Sequence, residues 1–80
     1  MYIGEAVSRR IVSLCRARNL SINAMCLKSG VTQSTVNNIV SGRNNSTTVS
    51  TIKKLCDGLD ISIKDFFDDP LFDHLDQEVH

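Results

Sequence analysis

Gln33, Ser34, Asn37, Asn38 and Ser41 lie close together in the chain, and all five are uncharged hydrogen-bonding residues. On a helix turning about 100° per residue Ser34, Asn37, Asn38 and Ser41 point to the side opposite Val36 and Ile39, while Gln33 projects from the helix start. An Asn or Gln amide donates and accepts at once, so it can pair bidentately with N6 and N7 of adenine. No Arg or Lys stands in the same stretch to read guanine. A solvated helix face carries the same residue types, so the chemistry of this face depends on where the fold places it.

Cys15, Cys26 and Cys56, with His74 and His80, make up the complement of soft ligands. No pair of them has the spacing of a zinc site, and each cysteine falls at an inward position of a helical pattern. A free Cys behaves there as a small buried hydrophobe, so no metal is expected. Three thiols at such distances also do not form a disulfide framework. Catalysis has no better support. No Ser/His/Asp or Cys/His arrangement is present, both histidines lie in the last seven residues, and no Gly-rich phosphate loop occurs. The expectation is no catalytic residue, no cofactor, no small-molecule ligand and no enzyme.

The chain has 80 residues, 41% of them apolar, which is enough for one small core and leaves function to the surface. Its longest apolar run, Ala24 to Leu27, is far below the roughly 20 residues of a membrane span, and the N-terminus does not read as a leader. No membrane partner is expected, and the localisation that follows is cytoplasmic. A formal net charge of zero hides a division. Residues 1–54 hold eight of the nine Lys/Arg against Glu5 alone, while residues 55–80 hold Lys64 against eight acids. Such asymmetry suits a polyanion partner for the basic part, although charge also serves solubility.

The elements that would position these groups are all helical. Val7, Ile11, Leu14 and Cys15 form one stripe of a first helix, with Arg9, Arg10 and Arg16 on its other face and Asn19 at its end. Ser21 caps a second helix running through Lys28, with Met25 and Cys26 inward and Gly30 as its stop. Thr32 caps a third, from Gln33 to about Ser41, followed by Gly42 and a polar loop. Thr48 caps a fourth with Val49, Ile52, Leu55, Cys56 and Leu59 on its stripe. Ser62 and Asp65 open a fifth containing Phe66 and Phe67. Asp69-Pro70 is an N-cap followed by proline at the first helical position. With Phe72, Leu75 and Val79 it predicts a sixth, amphipathic helix.

Two short helices joined through Ser29-Gly30-Val31-Thr32-Gln33, with small Cys26 before the turn and Val36 and Ile39 after it, describe a helix-turn-helix. On these residues, on Leu14 to Ser21 and on Thr51-Ile52 and Leu59-Asp60-Ile61, the chain resembles the Cro and phage-repressor (Xre-type) family over residues 5–67. The resemblance implies an all-α, five-helix lambda-repressor-like domain over residues 1–67, with 68–80 as an acidic tail holding the possible sixth helix.

It also implies the function. The third helix would enter the major groove of double-stranded DNA, with Gln33, Ser34, Asn37 and Asn38 reading bases. The second helix's start and the loop after the third would flank the groove, which places Ser21, Asn23, Thr32, Thr35, Arg43, Asn44 and Asn45 at phosphates. Arg43 would add a direct charge contact. A repressor-like transcriptional regulator is the leading reading, and a homodimer on an inverted repeat is one arrangement it allows. The alternative is a protein-interaction module, antitoxin-like or an assembly partner, on the same scaffold.

The chain also departs from the family pattern. Ile22 stands where an amide is frequent, Thr47 where Pro is, and Asp60 where Gly is. Cys15 and Val40 together replace an Arg–Glu pair that commonly links the first and third helices, so an apolar contact is expected in place of a salt bridge. The tail leaves three roles open: its stripe covers the domain's own core, it joins two copies, or its acids compete with DNA for the basic face.

Overall fold

The computed structural model describes residues 1–41 and 47–78. Five α-helices follow one another: α1 (Ile3–Ala17), α2 (Ile22–Ser29), α3 (Gln33–Val40), α4 (Val49–Leu59) and α5 (Ile63–Phe67), then one 3-10 turn, Pro70–Phe72. There is no strand among the described residues.

Local chemistry sets most of the boundaries. Ser21, Thr32, Thr48 and Ser62 each accept a hydrogen bond from the backbone N–H three residues on, at 3.0 to 3.2 Å, which satisfies one donor that a helix start leaves unpaired. The exits are equally specific. Asn19 and Asp60 both adopt φ +57°, and the residues after them close the helix: Leu20 N–H donates to the Cys15 carbonyl and Ile61 N–H to that of Cys56. Asp60 thus takes the left-handed position that Gly would occupy more easily. Gly30, at φ +69°, ends α2 and turns the chain toward α3.

The apolar stripes meet in one core. Ala6, Ile11, Met25, Val36, Ile39, Leu55, Cys56 and Phe66 are essentially inaccessible. Phe66 is the largest of them, and burying a side chain of this kind stabilises by about 1.5 to 3 kcal/mol. Around it α2 packs on α4, α1 on α3, and α2 on α3. Phe67 and Phe72 stack edge-on at 4.9 Å and extend the core toward the tail.

The tail departs from the amphipathic helix that its pattern predicts. The cap is present, since Leu71 N–H donates to Asp69 Oδ1 at 2.9 Å, and Phe72 packs on the core as the stripe requires. The helix nevertheless stops after one turn. To continue it, Asp76 N–H would have to bond to the Phe72 carbonyl; it donates instead to the Met1 carbonyl at 2.9 Å, and residues 75–78 run irregularly beside the start of α1. Val79, the last residue of the predicted stripe, lies outside the described residues.

Candidate nucleic-acid interface

α3 is built to expose one polar face. Val36 and Ile39 are at most 1% accessible and anchor it, while Gln33, Ser34, Asn37 and Asn38 are all exposed. The four predicted base-reading residues are therefore all accessible on α3, Ser34, Asn37 and Asn38 on the side away from the core and Gln33 at the helix start. Ser41, just beyond the helix, is exposed too, and its hydroxyl donates to the Asn38 carbonyl at 3.3 Å. No formal charge lies within α3.

The predicted phosphate residues divide into three groups. Ser21 and Asn23 are exposed at the start of α2, where the Ser21 hydroxyl is engaged by Ala24 N–H. Thr32 and Thr35 share a 2.8 Å hydroxyl contact, and Thr35 N–H donates to Thr32 Oγ1, so both hydroxyls take part in the cap of α3. Arg43, Asn44 and Asn45 lie outside the described residues. Neither α2 nor α3 has an acid in its first turn, so the partial positive charge of each helix start is left unneutralised by its own side chains. The surroundings favour an anion at this edge of the molecule.

Arg10 requires a correction. The sequence pattern groups it with Arg9 and Arg16 on the outward face of α1, and those two are exposed. Arg10 is only 15% accessible and grips the end of α5: Nε donates to the Phe66 carbonyl at 2.7 Å, Nη2 to the Asp65 carbonyl at 2.8 Å, and Nη1 to Asp69 Oδ2 at 3.1 Å. Its planar fork donates to two carbonyls at the helix end, that of Asp65 also accepting from Asp68 N–H, and to a carboxylate besides. Helical period alone carries the signal. At about 100° per residue Arg10 falls between Ala6 and Leu14, inside the buried arc, whereas Arg9 and Arg16 fall opposite it.

The cysteines lie in the core, all three at 5% accessibility or less. Burial pushes each thiol above its ordinary range, and Cys15 Sγ rests 3.4 Å from Met25 Sδ. Among the described residues no group of three or more His, Cys, Asp or Glu is placed to hold a metal ion. None of their helices is long and apolar enough to cross a membrane. Val40 is half-buried and packs against the same core as Cys15, and its carbonyl accepts from Ser8 Oγ at 3.2 Å, tying the end of α3 to α1.

A family model described as the Cro/C1-type HTH DNA-binding domain matches residues 10–70, well over half of the chain. This chain belongs to that family. Membership makes it a DNA-binding transcriptional regulator, and the helix-turn-helix described above, α2 and α3, lies within the matched segment. Among solved structures the Cro/C1-type chain is similar to the prophage Lp1 protein 11, with 41% identity, 94% of this chain and 100% of that one covered, and a TM-score of 0.81. It also shares the fold of the wild-type restriction-modification controller protein C.Esp1396I, at 18% identity, with 84% and 85% coverage and a TM-score of 0.76. Among curated protein sequences none matches it.

Proposed function

We propose that this Cro/C1-type regulator represses transcription by occupying an operator whose bases are read by Gln33, Ser34, Asn37 and Asn38. The observation that carries the reading is the polar surface of α3: four exposed hydrogen-bonding side chains, no charge among them, on a helix held by buried Val36 and Ile39. Amides there favour adenine, so the half-sites contain A·T pairs at the positions of Gln33, Asn37 and Asn38. Ser21, Asn23, Thr32, Thr35, Arg43, Asn44 and Asn45 hold the flanking phosphates and fix the register. Residues 1–67 suffice for this reading, and 68–80 form an appended acidic segment.

The protein acts by occupancy in the cytoplasm. It binds as a homodimer on an inverted repeat. Exposed Ile3 and Val49 support the dimer, since they edge an apolar groove floored by Val7, Ile52 and Phe67.

Selection of bound sequences from a random DNA pool tests the whole reading. The expected result is an inverted repeat with adenines in each half. Enrichment of guanine tracts would overturn the assigned face, a single unrepeated half-site would overturn the dimer, and the absence of any enrichment would leave the scaffold to protein partners.

A further inference from the structure

The acidic tail sits on the start of α1. Asp69 pairs with Arg10, Asp76 with the Met1 amine, and the Glu78 carboxylate accepts from Ile3 N–H at 3.1 Å. That last bond has a clear physical reason. Tyr2, the N-cap of α1, supplies no side-chain cap, so a carboxylate from 75 residues away satisfies an open donor at the positive end of the helix. Residues 73–78 have no helix or strand of their own, and the Asp76 and Glu78 contacts are exposed. Exposed ion pairs are weak and screened by salt, so such a segment opens locally long before the domain unfolds. Among the described residues no hydrogen bond or ion pair joins 68–78 to α2 or α3.

We propose that residues 73–78, beyond the Phe72 anchor, are an electrostatic strap, which when docked on α1 holds the tail's carboxylates off the DNA-reading face, and when released lets them compete with DNA phosphate for it. The proposal rests on DNA reading by α3. A free segment of six residues spans roughly 13 Å on average and about 20 Å at full extension, the latter matching the shortest molecular dimension of 20 Å. A released tail therefore brings mobile negative charge into the field of the basic half, where it opposes phosphate binding. Salt, or any cation that captures the tail, biases the strap toward release.

The sign of one measurement separates this strap from a passive tail. Asp76→Asn with Glu78→Ala removes two negative charges but also removes two of the strap's fastenings. Plain charge arithmetic makes that variant bind DNA more tightly. The strap makes it bind the selected operator about 3- to 10-fold more weakly at low salt, with faster hydrogen exchange at the amides of residues 3 and 76 and an unchanged rate at Leu55. Equal or tighter DNA binding by the folded variant overturns the proposal. Should the variant not fold, the wild-type chain decides: raising salt from about 50 to 500 mM should speed exchange at Ile3 and Asp76 together, about 5-fold or more, and a salt-indifferent pair overturns the strap. A wild-type chain that binds no DNA would sink the reading of α3, while the exchange measurement would still report on docking.

Discussion

Gly58 of α4 lies directly against Ser29 of α2. A Cβ on Gly58 would stand 2.7 Å from the Ser29 Cβ and 2.8 Å from its Cα and backbone nitrogen. Gly58→Ala should therefore destabilise the domain by about 1 to 2 kcal/mol in urea titration, because overpacking outweighs the gain in helix propensity. Ser29→Gly should not rescue it, since the backbone atoms of residue 29 obstruct as closely as its side chain. Full recovery in the double variant would show that the side chain alone sets the α2–α4 distance.

Gln33→Ala should weaken binding to the preferred operator by about 1 to 3 kcal/mol and relax the preference at one base position. Arg43→Ala should weaken binding to all sequences alike and lower the salt slope by about one unit. The two variants are compared in one binding-site selection with a salt titration. An unchanged sequence logo for Gln33→Ala would move the reading face elsewhere.

The contrast between these residues and the tail shows what a sequence can disclose. Ser21, Thr32, Thr48 and Ser62 were legible as caps because their bonds reach only three residues ahead, and Val36 and Ile39 were legible as the inner side of α3 because helical period is a local property. The turn-back of the tail was not. It depends on donors at Met1 and Ile3, 75 residues away, that no local pattern announces. The Gly58–Ser29 approach was hidden for a similar reason: a glycine within a helical pattern does not say which backbone comes close to it.

Arg10 supplies a test of stability at the end of α5. Arg10→Gln breaks the grip on Phe66, Asp65 and Asp69, and the half-buried setting supports a loss of about 1 to 3 kcal/mol. Arg10→Lys should recover little, since an ammonium cannot make the same planar set of bonds. Thermal melting measures the loss. An Arg10→Gln chain as stable as the wild type would mean that the fork contributes no net free energy.

The buried thiols predict alkaline behaviour. Burial is the largest cause of the raised values at Cys15, Cys26 and Cys56, each starting from an ordinary 9.0. A thiol that holds its proton more tightly when folded contributes stability that is fully present below its unfolded value and is lost as pH rises through the folded one. Unfolding free energy should therefore fall above about pH 9, and the fall should be shallower in Cys56→Ala. Parallel pH profiles for the two chains would remove Cys56 from the account.

Cys15 and Val40 stand where an apolar contact between α1 and α3 is expected in place of an ion pair. Cys15 is 3% accessible with its sulfur toward Met25, and Val40 is half-buried against the same core, its carbonyl held by Ser8. A charge introduced at either position alone would lose water without gaining a partner, which is strongly unfavourable, whereas a pair of opposite charges recovers part of that cost. Val40→Glu should therefore destabilise the fold by about 1 to 3 kcal/mol, at the lower end because Val40 keeps some contact with solvent. Cys15→Arg should cost more, since its position is nearly sealed and lies beside Met25. The double variant should be more stable than the sum of the two losses allows, by about 1 kcal/mol or more in a double-mutant cycle. A coupling energy of zero would mean that the two residues serve the α1–α3 interface independently, and that no exchange of an ion pair for an apolar contact links them.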